Sequence, residues 1–100
     1  MELVIDNNEP SIEQQAEDIL NFLNEKAGKS FRTHTPKGQP TSQLKKIMAR
    51  LEDGYTADDM RSIIVLLTRR WSDEERMRPY LRPDTLFGPE TIEKYLGELG

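Results

Sequence analysis

Thr56-Ala57-Asp58-Asp59-Met60-Arg61-Ser62-Ile63-Ile64-Val65-Leu66-Leu67-Thr68-Arg69-Arg70-Trp71 is the stretch that decides the fold. Its middle, Ile63 to Leu67, is an unbroken apolar run that in isolation also suits a strand. The flanks favour a helix. Met60, Ile63, Ile64, Leu67 and Trp71 recur at helical spacing and share one face. Thr56 is a good N-cap, with Asp59 at the third helical position to bond back to it. Val65 and Leu66 widen the apolar face, which predicts a central helix wrapped by the others. The run is also far shorter than the roughly 20 apolar residues that cross a bilayer, so no membrane partner is expected.

Working outward, the preceding helix spans about Ser42 to Asp53, with Leu44, Ile47, Met48 and Leu51 as its stripe and Gly54 as its stop. Before it lies a basic loop, residues 29–41, with prolines, Gly38 and a tether at Phe31. Ser11 caps a first helix, with Gln14 as its reciprocal partner. Ile12, Ala16, Ile19, Leu20, Leu23 and Ala27 give that helix one stripe, and Gly28 ends it. Residues 1–10 read as an acidic flexible tail and 11–100 as a single helical domain.

Downstream, Ser72-Asp73-Glu74-Glu75 has the capping-box pattern and predicts one or two further turns ending before Pro79. Residues 79–89 form an ordered irregular segment. Tyr80, Leu81, Leu86 and Phe87 are its apolar anchors, Pro83 holds Arg82 extended, and Asp84 or Thr85 caps the turn that follows. Arg82 is expected to donate to carbonyls at helix ends, so the segment reads as structural rather than as a binding site. A last helix, about Glu90 to Leu99, carries Ile92, Tyr95, Leu96 and Leu99. The expectation is an all-α chain, a compact bundle of four to five short helices.

Composition narrows the chemistry. With 100 residues, 35% of them hydrophobic and 32% charged, the chain supports one small core. It has no cysteine, so disulfides, thiol nucleophiles and Cys-based zinc sites are excluded. A single histidine, His34, excludes any two-histidine motif; in its Thr- and Pro-rich loop it reads as solvated or structural. The acidic clusters Glu52/Asp53, Asp58/Asp59 and Asp73 to Glu75 sit at helix ends, where they cap and solubilise. No Gly-rich phosphate loop is present. No catalytic residue, metal or cofactor is expected, and the chain is not read as an enzyme. The N-terminus lacks the basic start and apolar stretch of a secretory signal, which points to the cytoplasm.

The net charge of −4 conceals segregation. Residues 1–25 carry seven acids and no Lys or Arg, whereas residues 26–51 carry seven cations and no acid. Lys45, Lys46 and Arg50 share a broad helix face suited to phosphate or to an acidic partner. The competing reading is a solvated face, or one that pairs with the acidic first helix. Arg69 and Arg70 flank the apolar stripe and either contact phosphate or pair with Asp73, Glu74 and Glu75. Trp71 lies on the stripe and reads as core rather than as a stacking platform. Every reading of these five cations as one contact surface requires that they gather there.

Several strings carry a resemblance: Ile19 through Arg32, Ala49-Arg50-Leu51, Gly54-Tyr55-Thr56, Ile63-Ile64, Trp71, Tyr80-Leu81-Arg82-Pro83-Asp84-Thr85-Leu86-Phe87-Gly88 and Tyr95-Leu96. Over about residues 18–97 the chain resembles the conserved C-terminal domain of bacteriophage and prophage replication-type proteins, related in role to DnaD-like replisome organisers. In that family the domain commonly lies behind a winged-helix DNA-binding part. The resemblance implies a non-enzymatic accessory role in initiating phage DNA replication, in the cytoplasm of a bacterial host, through single-stranded DNA or the host replicative helicase or its loader. A protein-interaction module on the acidic first helix or the Val65/Leu66 face, or a small phage regulator of a host protein, is the alternative. The chain departs from the family in its Pro- and Gly-rich loop at 33–43. DNA-binding DnaD-like domains are associated with Tyr-x-x-x-Ile-x-x-x-Trp; this chain has Ile63-x-x-x-Leu67-x-x-x-Trp71, without the tyrosine.

Overall fold

A computed structural model describes residues 10–99, so the proposed acidic tail lies outside the described residues except for Pro10, which is exposed. Five α-helices follow in order: α1 (Ile12–Ala27), α2 (Ser42–Glu52), α3 (Ala57–Trp71), α4 (Pro83–Leu86) and α5 (Pro89–Leu99), with a 3₁₀ turn at Arg78–Tyr80 before α4. Among the described residues there is no strand, only an isolated antiparallel bridge between His34 and Pro40. The fold is all-α, as the spacing predicts.

The first three helices begin and end for local reasons. The Ser11 hydroxyl accepts from Gln14 N–H, and Gly28 closes α1 at φ 67°, a left-handed conformation that suits glycine. The Gln14 side chain does not return to the cap; it reaches Asp18 instead. Thr41 caps α2 by accepting from Leu44 N–H, one residue before the expected start of the helix. Thr56 and Asp59 make the full reciprocal box at the start of α3.

The stripes meet in one core. Ala16, Ile19, Leu20 and Leu23 of α1 lie against Leu44, Ile47 and Leu51 of α2 and against Met60, Ile63, Ile64 and Leu67 of α3. Burying each large aliphatic side chain contributes about 1.5–3 kcal/mol. Trp71 is buried as expected and meets Tyr95 of α5 edge to face at 6.2 Å, an arrangement that favours the ring quadrupoles. The main helix packings form a ring: α1 on α2 and α3, α3 on α5, α5 on α4, and α4 on α2.

Four sequence expectations are corrected. Ser72 opens no helix; it is the C-cap of α3 at φ −60°, ψ −34°, whereas an N-cap needs extended backbone. Residues 79–89 are more regular than expected, holding the 3₁₀ turn and α4. Arg82 is extended, as Pro83 requires, and is itself the N-cap of α4; Asp84 and Thr85 lie within that helix rather than capping it. Lastly, α3 is not wrapped on every side, because Val65 and Leu66 are only half-buried and line an open groove.

Candidate functional site

The segment before α5 is a brace. Leu81, Pro83, Leu86 and Phe87 are buried in the core, but Tyr80 is not an anchor: it is 44% exposed. The Arg82 side chain stays outside, over the Tyr80 ring at 5.5 Å and beside the Thr85 hydroxyl. The donor to the segment's backbone comes from elsewhere. Arg50 reaches from α2 and donates from Nη1 to the Phe87 carbonyl at 3.2 Å. Its Nε lies 3.0 Å from Asp53 Oδ2, a charge contact too bent to count as a hydrogen bond. The Arg50 side chain is 12% exposed, so its role is to satisfy a backbone group in the core wall. Arg50 lies within α2 and Arg82 just before Pro83, and nothing local in the sequence signals that the former, 37 residues away, reaches the Phe87 carbonyl.

The five predicted cations do not form one patch. Lys45, Lys46 and Arg50 line a shallow pocket of about 430 Å³ together with Asp84 and Pro89. Arg69 and Arg70 line a different groove, on α3. The division follows from topology, since α2 and α3 both pack on α1 but carry their polar faces to different pockets. Carboxylates accompany three of the five. Lys46 Nζ is 3.8 Å from Asp84, Arg50 is beside Asp53, and Arg70 Nη2 is 3.1 Å from Glu98 of α5 rather than pairing with Asp73 to Glu75. Among the described residues, Lys45 and Arg69 have no carboxylate partner, and both are exposed.

The larger opening is the groove of about 690 Å³ along α3. Val65, Leu66 and Leu99 supply its apolar surface, and Arg61, Arg69 and Arg70, with Asp58 and Ser62, its polar lining. Leu99, one of the apolar residues expected on the last helix, is 45% exposed and lines this groove, whereas Ile92 and Tyr95 are buried. Arg61 is held by Asp58 and Arg70 by Glu98, whereas Arg69 has no carboxylate partner among the described residues. An apolar surface rimmed by guanidinium groups suits a segment that presents apolar side chains beside carboxylates.

Residues 19–97 match the family described as Conserved phage C-terminus. The chain belongs to that family. No curated protein and no solved structure matches it. In this phage C-terminal domain the match runs from α1 through most of α5, so it takes in the brace at 80–87, the Arg50 contact and most of the groove. Leu99 at the edge of the groove lies beyond it. No helix of the described residues is long and apolar enough to cross a membrane.

Two polar contacts escaped the sequence reading. Tyr55, in the α2–α3 turn, donates its hydroxyl to Glu93 of α5. That bond, with desolvation and the charges of Glu93 and Asp53, raises the phenol pKa above its ordinary value near 10, and Arg50 opposes the shift. His34 meets Glu13 and Glu17 across the α1–loop seam, so it is a paired histidine rather than a solvated one. The i, i+4 spacing of Glu13 and Glu17 was visible in the sequence, but their partner, 21 residues beyond Glu13, was not.

Proposed function

We propose that this phage C-terminal domain is a non-enzymatic docking module in the initiation of phage DNA replication, acting in the cytoplasm of the bacterial host. Its partner is the host replicative helicase or its loader, and the contact is an apolar segment carrying carboxylates, seated in the α3 groove. The observation that carries this reading is the open apolar floor of Val65, Leu66 and Leu99 inside an arginine rim. A chain with so few apolar residues leaves three of them at the surface together. The replication role rests on the resemblance of residues 18–97 to the C-terminal domain of phage replication-type proteins.

The test is direct binding of the purified domain to purified helicase and loader, with a Leu66→Asp variant. Leu66 is half-buried, so circular dichroism must first establish that the variant folds. Saturable binding that is lost in folded Leu66→Asp but kept in the Lys45→Glu/Lys46→Glu double variant supports the reading. Equal binding by folded Leu66→Asp removes it.

Single-stranded DNA is the second reading. It is favoured by one observation: Lys45 is exposed with no carboxylate partner among the described residues, and its neighbour Lys46 is only loosely held by Asp84. A short cationic face of this kind gives weak binding that falls steeply with salt. Titration of labelled oligonucleotide at two salt concentrations distinguishes the two, because here the double-lysine variant abolishes binding and Leu66→Asp does not.

A further inference from the structure

The seam between α1 and the 29–41 loop holds a cluster that docking does not use. Glu13 and Glu17 stand one turn apart on α1 and face His34 on the loop. His34 Nε2 is 2.6 Å from Glu13 Oε2 and 3.9 Å from Glu17 Oε2. The three potential ligand atoms lie within 4.8 Å of one another, and all three residues are partly buried. The donors come from two separate elements, and each is positioned by its own backbone.

The loop side is built to hold the ring. Thr35 N–H bonds Gln39 O, Thr41 N–H bonds Thr33 O, and the Thr41 hydroxyl donates to Arg32 O, closing the loop around the His34–Pro40 bridge. The second ring nitrogen, Nδ1, is 3.0 Å from the Thr33 hydroxyl. At 2.6 Å, Nε2 and Glu13 share a proton; once that proton is lost, Nδ1–H donates to Thr33 and the Nε2 lone pair faces the two carboxylates. Ligating imidazoles are commonly oriented in this way, by a hydrogen bond at the nitrogen that does not bind the metal.

We propose that Glu13, Glu17 and His34 form a binding site for a divalent ion of the zinc class, with Nε2 and one oxygen from each carboxylate as ligands and water completing a tetrahedron. One imidazole and two carboxylates suit zinc better than magnesium, which takes an octahedron of oxygens. Metal bonds of about 2.0–2.1 Å set tetrahedral donors roughly 3.3 Å apart. The Glu13 carboxylate therefore draws back slightly from Nε2, and the proton the two shared leaves to solvent. The bound ion pins the loop to the first turns of α1. Glu13 and Glu17 precede residue 19, where the family match starts, so two of the three ligands lie outside the matched region.

The sequence has a single histidine, so imidazole nitrogen resonances report this site alone. Zinc chloride titrated into chelator-stripped protein is expected to bind one to one by calorimetry, to shift the Nε2 resonance and to raise the melting temperature. Magnesium chloride is expected to do none of these. Glu17→Gln, on the half-exposed face of α1, is expected to weaken zinc binding at least roughly tenfold with the circular dichroism unchanged, and His34→Ala to abolish it. No one-to-one binding up to about 1 mM zinc, ligation through Nδ1, or equal binding by both variants overturns the site.

Discussion

The connection between α1 and α2 and the connection between α3 and α5 both carry prolines, and opposite means hold them in place. The first is tied by polar groups. Asn24 donates to Phe31 O and accepts from Phe31 N–H, both at 2.9 Å, and Thr41 and His34 make the remaining ties, while Phe31 is only half-buried. The second sinks Leu81, Pro83, Leu86 and Phe87 into the core and keeps Arg82 and Asp84 outside. Irregular backbone is thus no guide to energetic weight. A connection that supplies core side chains is part of the core; one held by hydrogen bonds is a strap across it.

The sharpest way to break that contrast is at Phe87, the largest fully buried side chain. Phe87→Ala is expected to cost about 3–5 kcal/mol, a large share of the roughly 5–15 kcal/mol available to a domain, and to leave a mostly unfolded or loosely packed chain. Urea denaturation checks it, and a loss under about 1 kcal/mol would mean that the segment is a strap after all. Next in size is Arg50→Met, which keeps the apolar stem but removes the donor to Phe87 O. It is expected to cost about 2 kcal/mol for the orphaned carbonyl, measured by the same denaturation.

Asn24→Ala tests the other side. It removes both bonds to Phe31 and is expected to cost about 1 kcal/mol. Amide exchange is expected to speed up first in residues 29–41 rather than across the helices. Uniform acceleration would show that the strap is as integral as the brace.

The smallest effect is expected at Tyr55. Its phenol pKa is raised in the folded state, so its contribution is complete below the unfolded value near 10 and is lost as pH rises through the higher folded value. The denaturation midpoints of the native chain and of Tyr55→Phe are expected to differ at neutral pH and to converge in strong alkali. Glu93→Gln is expected to let Tyr55 ionise at lower pH, as read by NMR titration.

Legibility in the sequence followed the range of the interaction. Ser11, Gly28, Thr56 and Asp59 act on neighbours within four residues, and the stripes of α1 to α3 repeat within a turn or two, so these helices could be read directly. Helix α4 could not. Four residues do not nucleate a helix alone, and this one exists because Leu86 and Phe87 are drawn into a core built by distant segments. Ser72 misled because its side chain suits a cap while its backbone still follows α3. At the candidate site, Val65 and Leu66 were legible as a widened apolar face, but that the other helices leave this face open is set by long-range packing. The separation of Lys45 from Arg69, and the choice of Arg50 over Arg82 as carbonyl donor, depend on which neighbour each helix meets across the ring.

That ring has a consequence for how the molecule comes apart. Each helix leans chiefly on two others, and the shortest of them, α4, links the second helix to the last. Opening any one seam turns a closed circuit into a row with two loose ends. Partial melting then saves little entropy for the contacts it forfeits. Heat or denaturant should therefore dismantle the domain in a single step, with calorimetric and van't Hoff enthalpies in agreement.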